Sequence, residues 1–132
     1  MTTVTTPSDS DPVVIDSSGW LEYITGDEKA ELFAPYFEGA APVLVPVIVL
    51  YEVHKILLLR KSQVLADVFI SEALRRDVIA IDEAIALAAA EISIDYQLAM
   101  ADALLYATAQ SRSAHFVTSD AHFENLPGVT LM

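Results

Sequence analysis

The chain has 132 residues, and its apolar fraction of 54% is enough to build one compact domain with a substantial core. Seven lysine and arginine residues stand against nineteen aspartate and glutamate residues, and the resulting net charge of −12 argues against binding nucleic acid through bulk positive charge. The absence of cysteine excludes disulfides, thiolate zinc sites and a thiol nucleophile, and it is compatible with a reducing cytosol.

Residues 1–12 are predicted to form a flexible N-terminal tail, and residues 13–132 are predicted to form a single domain. The tail has neither the basic nor the apolar region of a secretory signal. Residues 43–59 are strongly apolar, but they include Glu52 and Lys55 and are shorter than the roughly 20 apolar residues that a membrane helix needs. We therefore expect a cytoplasmic protein with no membrane segment.

The first predicted element is a strand over Val13, Val14 and Ile15, a β-branched apolar run typical of a buried strand. Asp16, Ser17 and Ser18 follow it, and any of these side chains can cap a helix that opens at Trp20. The remaining predicted elements, in chain order, are an amphipathic helix over 27–37, a strand over 43–45, a helix over 46–60 with Pro46 in its first turn, a helix over 64–74 capped by Ser62, a strand over 78–81, a helix over 83–94 capped by Asp82, a helix over 97–111, a strand over 115–118, a helical turn after Asp120, and an edge strand over 129–131.

Alternation of strands and helices along the whole chain indicates the fold class. Such alternation is typical of βαβ units, in which successive strands are parallel and helices cover the faces of the sheet. The sequence therefore predicts an α/β fold, a three-layer α/β/α sandwich around a central, mostly parallel sheet.

Three carboxylates lie in apolar stretches, whereas most of the nineteen acids lie among polar neighbours or at helix starts, as on a solvated surface. Asp16 closes the first strand, Glu52 lies within residues 47–53, and Asp102 lies within residues 98–105. An uncompensated buried charge costs several kcal/mol, so each of these acids needs a partner. Basic residues are scarce, which favours a hard divalent cation, and an all-oxygen ligand set favours Mg²⁺ or Mn²⁺ over zinc or copper.

The predicted topology brings four acids to one place. The carboxyl ends of parallel strands form the usual ligand crevice of an open α/β sheet, and Asp16 and Asp120 both follow such ends. Glu52 falls within the first two turns of its predicted helix, and Asp102 falls about two turns into its own. We therefore expect Asp16, Glu52, Asp102 and Asp120 to share one acidic pocket.

Four segments, in this order and spacing, carry a resemblance to a known family: Val-Ile-Asp-Ser-Ser at 14–18, Tyr-Glu-Val at 51–53, Ala-Asp-Ala-Leu-Leu-Tyr-Ala-Thr-Ala at 101–109, and Val-Thr-Ser-Asp at 117–120. The sequence resembles the PIN-domain family, specifically the VapC toxin ribonucleases of VapBC toxin–antitoxin systems. The resemblance spans nearly the whole domain. It implies a PIN-like fold and a Mg²⁺- or Mn²⁺-dependent endoribonuclease that hydrolyses RNA to 5′-phosphate and 3′-hydroxyl products.

The resemblance also assigns roles to single residues and implies partners. Asp16, Glu52, Asp102 and Asp120 match the metal-binding, catalytic acids of the family. The implied partners are an RNA substrate, a cognate antitoxin protein and a second copy of the chain in a homodimer. The side chains predicted to contact substrate are Thr118, which matches the family's Thr before its last acid, Ser17, Lys55 and Arg60.

The sequence departs from the family pattern at His122, because many members have a second acid two residues after the last Asp. This departure leaves open whether one or two metal ions bind. His122 itself is interpreted as a surface or packing residue, with contact to metal or substrate as the alternative. Lys55, Arg60 and Lys61 are either a phosphate track or solubilising residues at a helix end.

Other interpretations remain open at this point. Asp16 and Asp120 can be simple N-caps, and Glu52 can pair with Lys55 or with a distant arginine, whereas Asp102 has no cationic residue one turn away. Four aromatic residues can form either core or a partner groove: Trp20, Phe33, Tyr36 and Phe37. The competing function is a catalytically silent PIN-like module that binds protein. A phospho-receiver domain is less well supported, because its paired acids after the first strand are missing.

Overall fold

The structure is a computed structural model, and it describes residues 11–132. Residues 1–10 lie outside the described part, so the predicted tail over 1–12 stays a prediction. The strands are β1 (Val13–Ile15), β2 (Val43–Pro46), β3 (Asp77–Ile79), β4 (His115–Thr118) and β5 (Val129–Leu131). The helices are α1 (Ser17–Thr25), α2 (Ala30–Glu38), α3 (Val47–Arg60), α4 (Gln63–Leu74), α5 (Glu83–Tyr96) and α6 (Met100–Ser111), and a 3₁₀ turn spans Ala121–Phe123.

The five strands form one sheet in the order β3-β2-β1-β4-β5, and every pair of neighbours is parallel. Strand β1 is the central strand, and all three of its residues are buried, as expected for a strand covered on both faces. Helices flank the sheet: α1 to α4 contact one another, and α5 packs against α6. The predicted three-layer α/β/α sandwich is confirmed.

Aromatic side chains under α1 and α2 fill the core on one side of the sheet. Trp20, Phe33 and Phe37 are buried, and the ring of Trp20 meets that of Phe37 edge-on at a centroid distance of 4.6 Å and that of Phe69 at 5.4 Å. Edge-on packing is a favourable geometry for aromatic pairs. The core interpretation of these aromatic residues is therefore correct, and the buried rings are not a partner groove.

Helix caps follow the predicted chemistry. Asp16, Ser62 and Asp82 each accept a hydrogen bond from the backbone N–H three residues further on, at 3.0, 3.1 and 2.8 Å. Each bond satisfies one of the amide groups that the first turn of a helix leaves without a partner.

Several predicted element boundaries are wrong, among them the start of α1, which is Ser17 instead of Trp20, and that of α2, which is Ala30 instead of Asp27. Strand β3 spans 77–79 instead of 78–81, because it pairs only along Leu44–Pro46 of β2. Pro46 ends β2 and precedes the first turn of α3 instead of lying in it. Helix α6 begins at Met100 instead of 97, because Gln97 adopts a left-handed conformation (φ 56°) that ends α5.

Among residues 11–132, no single helix is long and apolar enough to cross a membrane. Helices α5 and α6 pass that test of length and composition only when taken together, and they are bent by 116° relative to each other.

Candidate metal centre

The site lies at the point in the sheet where the strand order reverses, between β1 and β4. From β1 the chain adds β2 and then β3 on one side, whereas β4 and β5 lie on the other side. Strands β1 and β4 are neighbours, with Ile15 opposite Val117, and their carboxyl ends form the crevice that open α/β sheets use for ligands. Asp16 directly follows β1, and Asp120 is the second residue after β4.

Asp16 is the buried acid of the site, with 4% of its surface exposed. Its Oδ1 accepts hydrogen bonds from the Ser18 hydroxyl at 2.6 Å and the Gly19 N–H at 3.0 Å, and its Oδ2 accepts one from Thr118 at 2.5 Å. The pKa of Asp16 is raised above its ordinary value, because the effect of burial exceeds the lowering by these three hydrogen bonds. A carboxylate has about four acceptor positions, so one position on Asp16 is left for a cation.

Thr118 connects the two strand ends. Its hydroxyl donates to Asp16 and accepts the backbone N–H of Asp120 at 2.9 Å, and the residue is fully buried. Its hydroxyl is thus occupied within the protein, and contact between Thr118 and substrate stays a prediction. Thr118 is a positioning residue that fixes Asp16 relative to Asp120.

Glu52 reaches the site from α3. It lies in the second turn of the helix and is half-buried, and its Oε1 accepts the Ser17 hydroxyl at 2.7 Å. Ser17, predicted to contact substrate, thus holds Glu52 beside the first turn of α1. Glu52 forms no ion pair with Lys55, so the interpretation of Glu52 as a structural ion-pair partner of that lysine does not hold.

Among residues 11–132, Asp102 is the acid of the site that has neither a hydrogen-bond donor nor an ion-pair partner. It lies in the first turn of α6, not two turns in as predicted, because that helix starts at Met100. No side chain or backbone group of residues 11–132 donates a hydrogen bond to its carboxylate, although it is half-buried. Burial raises the pKa of Asp102, and the negative charges of Asp120, Glu52 and Asp16 raise it further, against a smaller lowering by His122.

The four predicted acids are near enough for the negative charges of Asp120, Glu52 and Asp16 each to raise the pKa of Asp102. Within the described range, one group of potential metal ligands stands out: ligand atoms of Asp102, Asp120 and His122 all lie within 4.8 Å of one another. Asp16 and Glu52 are not part of this closest group of potential ligands. Crowded carboxylates without a lysine or arginine among them suit a divalent cation, which supplies the missing positive charge. The residues present therefore fit a metal ion.

His122 was not among the predicted metal ligands. It stands on the 3₁₀ turn, and its Nδ1 lies 3.0 Å from Oδ1 of Asp120. The available signal in the sequence was its position two residues after Asp120. That spacing alone did not distinguish a ligand from a surface histidine, because the direction of the turn is decided by packing.

The basic residues predicted to contact substrate lie outside the acidic cluster. Lys55 is exposed on α3, where its Nζ lies 3.3 Å from the Tyr51 hydroxyl. Arg60 and Lys61 line a groove of about 410 Å³ that also includes Ser18, a neighbour of Asp16, and the two acids Glu22 and Asp27. The groove thus joins the two basic residues to the edge of the site.

A family model of the PIN domain matches residues 13–129 of the chain. The chain belongs to the PIN-domain family. The matched range includes every acid of the site, and all five strands begin within it. The family model therefore spans both the sheet and the crevice of this PIN domain. A comparison with curated protein sequences finds no match.

Solved structures share the fold of this PIN domain. One is a toxin–antitoxin complex from Klebsiella pneumoniae, with a TM-score of 0.74 and 19% identity over 89% of this chain and 95% of the other. Another is VapBC2 from Rickettsia felis bound to a promoter DNA fragment, with a TM-score of 0.72 and 15% identity over 92% of this chain and 97% of the other. A third is VapC20 from Mycobacterium tuberculosis, described as a Sarcin-Ricin loop cleaving toxin, with a TM-score of 0.71 and 17% identity over 84% of this chain and 92% of the other.

Proposed function

We propose that this PIN domain is a metal-dependent endoribonuclease, the toxin of a toxin–antitoxin pair, acting in the cytoplasm with Mg²⁺ or Mn²⁺. The observation that carries the proposal is the state of Asp102. Its half-buried carboxylate has no hydrogen-bond donor among the described residues, yet it faces three other acids. Such an arrangement is unfavourable in the protein alone and favourable around a cation.

The choice of proposed metal ligands is supported by the carboxylate oxygens that the hydrogen bonds leave without a donor. Asp102 and Asp120 offer free carboxylate oxygens, whereas Asp16 offers the one acceptor position that its three donors leave. Glu52 offers Oε2, because Ser17 occupies only Oε1. Asp16, Glu52, Asp102 and Asp120 together are the proposed catalytic acids.

A bound divalent cation would activate water and neutralise charge on the scissile phosphate. The protein's own contribution is positioning. Thr118 and Gly19 hold Asp16, and Ser17 holds Glu52, so the acids are oriented before substrate arrives. Placing ligands in this way costs no reorganisation during the reaction, which is how a rigid site lowers a barrier.

The RNA backbone is proposed to leave the site along the basic side of α3. Arg60 and Lys61 line the groove that Ser18 joins to the acids, and Lys55 lies one turn after Glu52. These three cations supply local attraction to phosphate that the net charge of −12 does not. They are proposed to orient RNA, not to take part in the chemistry.

The proposed protein partners are a cognate antitoxin and a second copy of the chain. Three of the solved structures that share the fold are VapBC or toxin–antitoxin complexes. Exposed apolar side chains lie on α3 and α4, where a protein partner would cover them. They are Tyr51, Leu58, Leu59, Val64 and Val68.

The second candidate function is a catalytically silent PIN domain that binds a partner protein. The same exposed apolar side chains on α3 and α4 favour it, since they serve protein binding whether or not RNA is cut. It differs from the nuclease in needing no metal ion.

Cleavage of labelled RNA tests the nuclease. The purified protein is incubated with a mixed RNA set and Mg²⁺, Mn²⁺ or EDTA, beside Asp102→Asn and the control Glu91→Gln, which alters an exposed acid on α5. We expect cation-dependent cleavage to 3′-hydroxyl ends in the wild type and in the control. Asp102→Asn should lose more than about 100-fold, beyond the cost of losing an outer-shell partner of a metal ligand.

Two results would contradict the nuclease. Equal activity in the wild type and Asp102→Asn would identify a contaminating ribonuclease. No cleavage by any of the three proteins, with the fold intact by circular dichroism, would favour the silent module.

A further inference from the structure

We propose that His122 is a nitrogen ligand of the bound cation and that it makes this site prefer Mn²⁺ to Mg²⁺. The inference rests on the metal site of the proposed nuclease and specifies it further. It replaces the all-oxygen ligand set expected from the sequence with a mixed set of carboxylates and one imidazole.

The 3₁₀ turn after β4 directs His122 toward the acids. The N–H of His122 donates to Oδ1 of Asp120 at 2.9 Å, and the N–H of Phe123 donates to the backbone carbonyl of Asp120 at 3.1 Å. Phe123 is fully buried and packs against Phe116 of β4 at a ring-centroid distance of 4.8 Å. The buried ring anchors the turn, so the backbone of His122 is fixed beside Asp120.

The imidazole of His122 is free to bind a ligand. The side chain is 80% exposed, and its ring nitrogen Nδ1 lies 3.0 Å from Oδ1 of Asp120. Ligand atoms of His122, Asp120 and Asp102 lie within 4.8 Å of one another, although they come from two elements far apart in sequence. A small rotation of an exposed side chain is enough to adjust such distances to a cation.

A surface ion pair between His122 and Asp120 is the simpler explanation, and it accounts for less. An exposed pair of this kind contributes about 0–1 kcal/mol. It also leaves the Asp102 carboxylate without a partner beside three other acids. A cation held by all three residues satisfies Asp102 and uses the imidazole as well.

The choice of metal follows from ligand chemistry. Mg²⁺ is a hard ion that binds almost entirely through oxygen and retains several waters. Imidazole nitrogen binds first-row transition ions better, so a single histidine among carboxylates raises the affinity for Mn²⁺ more than that for Mg²⁺.

Metal binding, measured without RNA, tests the inference. Mn²⁺ and Mg²⁺ affinities are measured by calorimetry on the full chain and on His122→Ala, His122→Asp and Asp102→Asn, and pulsed electron paramagnetic resonance reports nitrogen bound to Mn²⁺. We expect a nitrogen coupling in the wild type that both His122 variants lose. His122→Ala should weaken Mn²⁺ binding at least about tenfold and Mg²⁺ binding by less.

The matched variant His122→Asp restores an oxygen ligand. It should keep metal binding and move the preference toward Mg²⁺, which separates the identity of the ligand from mere loss of a side chain. Circular dichroism of each variant establishes that the fold is retained.

Two outcomes would overturn the inference, and they can be told apart. If Mn²⁺ binds to His122→Ala as to the wild type and Asp102→Asn loses both ions, the metal site stands and His122 is only a surface residue. If the wild type binds neither ion, the proposed metal centre fails, and the role of His122 fails with it.

Discussion

At the scale of single residues, the acids of the site divide into two kinds. Asp16 has three hydrogen-bond donors and caps α1, so it supports the fold as well as any bound cation. Asp102 has no such donors and is surrounded by negative charge. The two aspartates should therefore respond oppositely when each is made neutral.

The residue-scale prediction compares Asp102→Asn with Asp16→Asn in EDTA. Burial and like charge raise the pKa of Asp102 above its ordinary value of 3.8. The folded protein therefore favours the protonated carboxyl of Asp102. The stability that this proton provides is fully present below pH 3.8 and is lost as pH rises through the raised pKa. Asp102→Asn should have a higher Tm than wild type near neutral pH, with the difference closing toward about pH 4.

Asp16→Asn should instead be less stable by about 1–3 kcal/mol, because its amide nitrogen would face a donor in a buried site. Thermal melts at several pH values measure both variants, with Glu91→Gln as the exposed control. A fall in Tm for Asp102→Asn would mean that Asp102 has a structural partner and that its carboxylate is not held for a cation.

At the scale of elements, the close approach of α1 to β1 sets the position of Asp16. Gly19, in the first turn of α1, lies against the sheet and α2: a Cβ added there would be 2.4 Å from Ile15 Cγ2 and 2.7 Å from Phe33 Cε1. Both neighbours are fully buried. On the other side of the site, the left-handed residue Gln97 ends α5 and lets α6 begin at Met100, which brings Asp102 into the first turn.

The element-scale prediction is that Gly19→Ala lowers the free energy of unfolding by about 1–3 kcal/mol, the usual cost of overpacking a core. The control is Gly26→Asn, at a left-handed position with no atoms within 4 Å of an added Cβ, where asparagine is tolerated. Urea denaturation measures both variants. Equal stability of Gly19→Ala and wild type would show that α1 shifts away from β1 without cost.

At the scale of the whole molecule, the charge distribution opposes the proposed substrate. The net charge is −12, and RNA is a polyanion, so long-range attraction is absent and binding depends on a cation at the acids and on a few local basic residues. The exposed cations near the site are Lys55, Arg60 and Lys61. An acidic protein of this kind is also suited to a basic partner protein.

The whole-molecule prediction concerns salt. If three lysine and arginine residues contact phosphate, the logarithm of RNA affinity should fall with the logarithm of monovalent salt with a slope no steeper than about −2, since each contact to a single strand contributes about 0.7. Fluorescence anisotropy of the wild type with a cleavage-resistant phosphorothioate RNA at fixed divalent cation measures the slope, and the double change Arg60→Gln and Lys61→Gln should flatten it. A slope steeper than about −4 would require a basic surface other than the one proposed.

The sequence by itself determined the elements and the residue types of the site. Continuous apolar runs such as Val13–Ile15 identified buried strands, and capping residues such as Asp82 identified helix starts, because periodicity and capping depend on neighbours in the chain. The same local information, with the resemblance to PIN domains, singled out Asp16, Glu52, Asp102 and Asp120.

Only the tertiary structure decided how these residues are used. Thr118 became a buried link between two strand ends because β1 pairs with β4, strands about a hundred residues apart. His122 joined the cluster because the 3₁₀ turn after β4 lies near the first turn of α6, which carries Asp102. The start of α6 at Met100 depended on the left-handed Gln97, which no propensity favours strongly. Such outcomes follow from long-range packing, where contacts distant in sequence outweigh local preference.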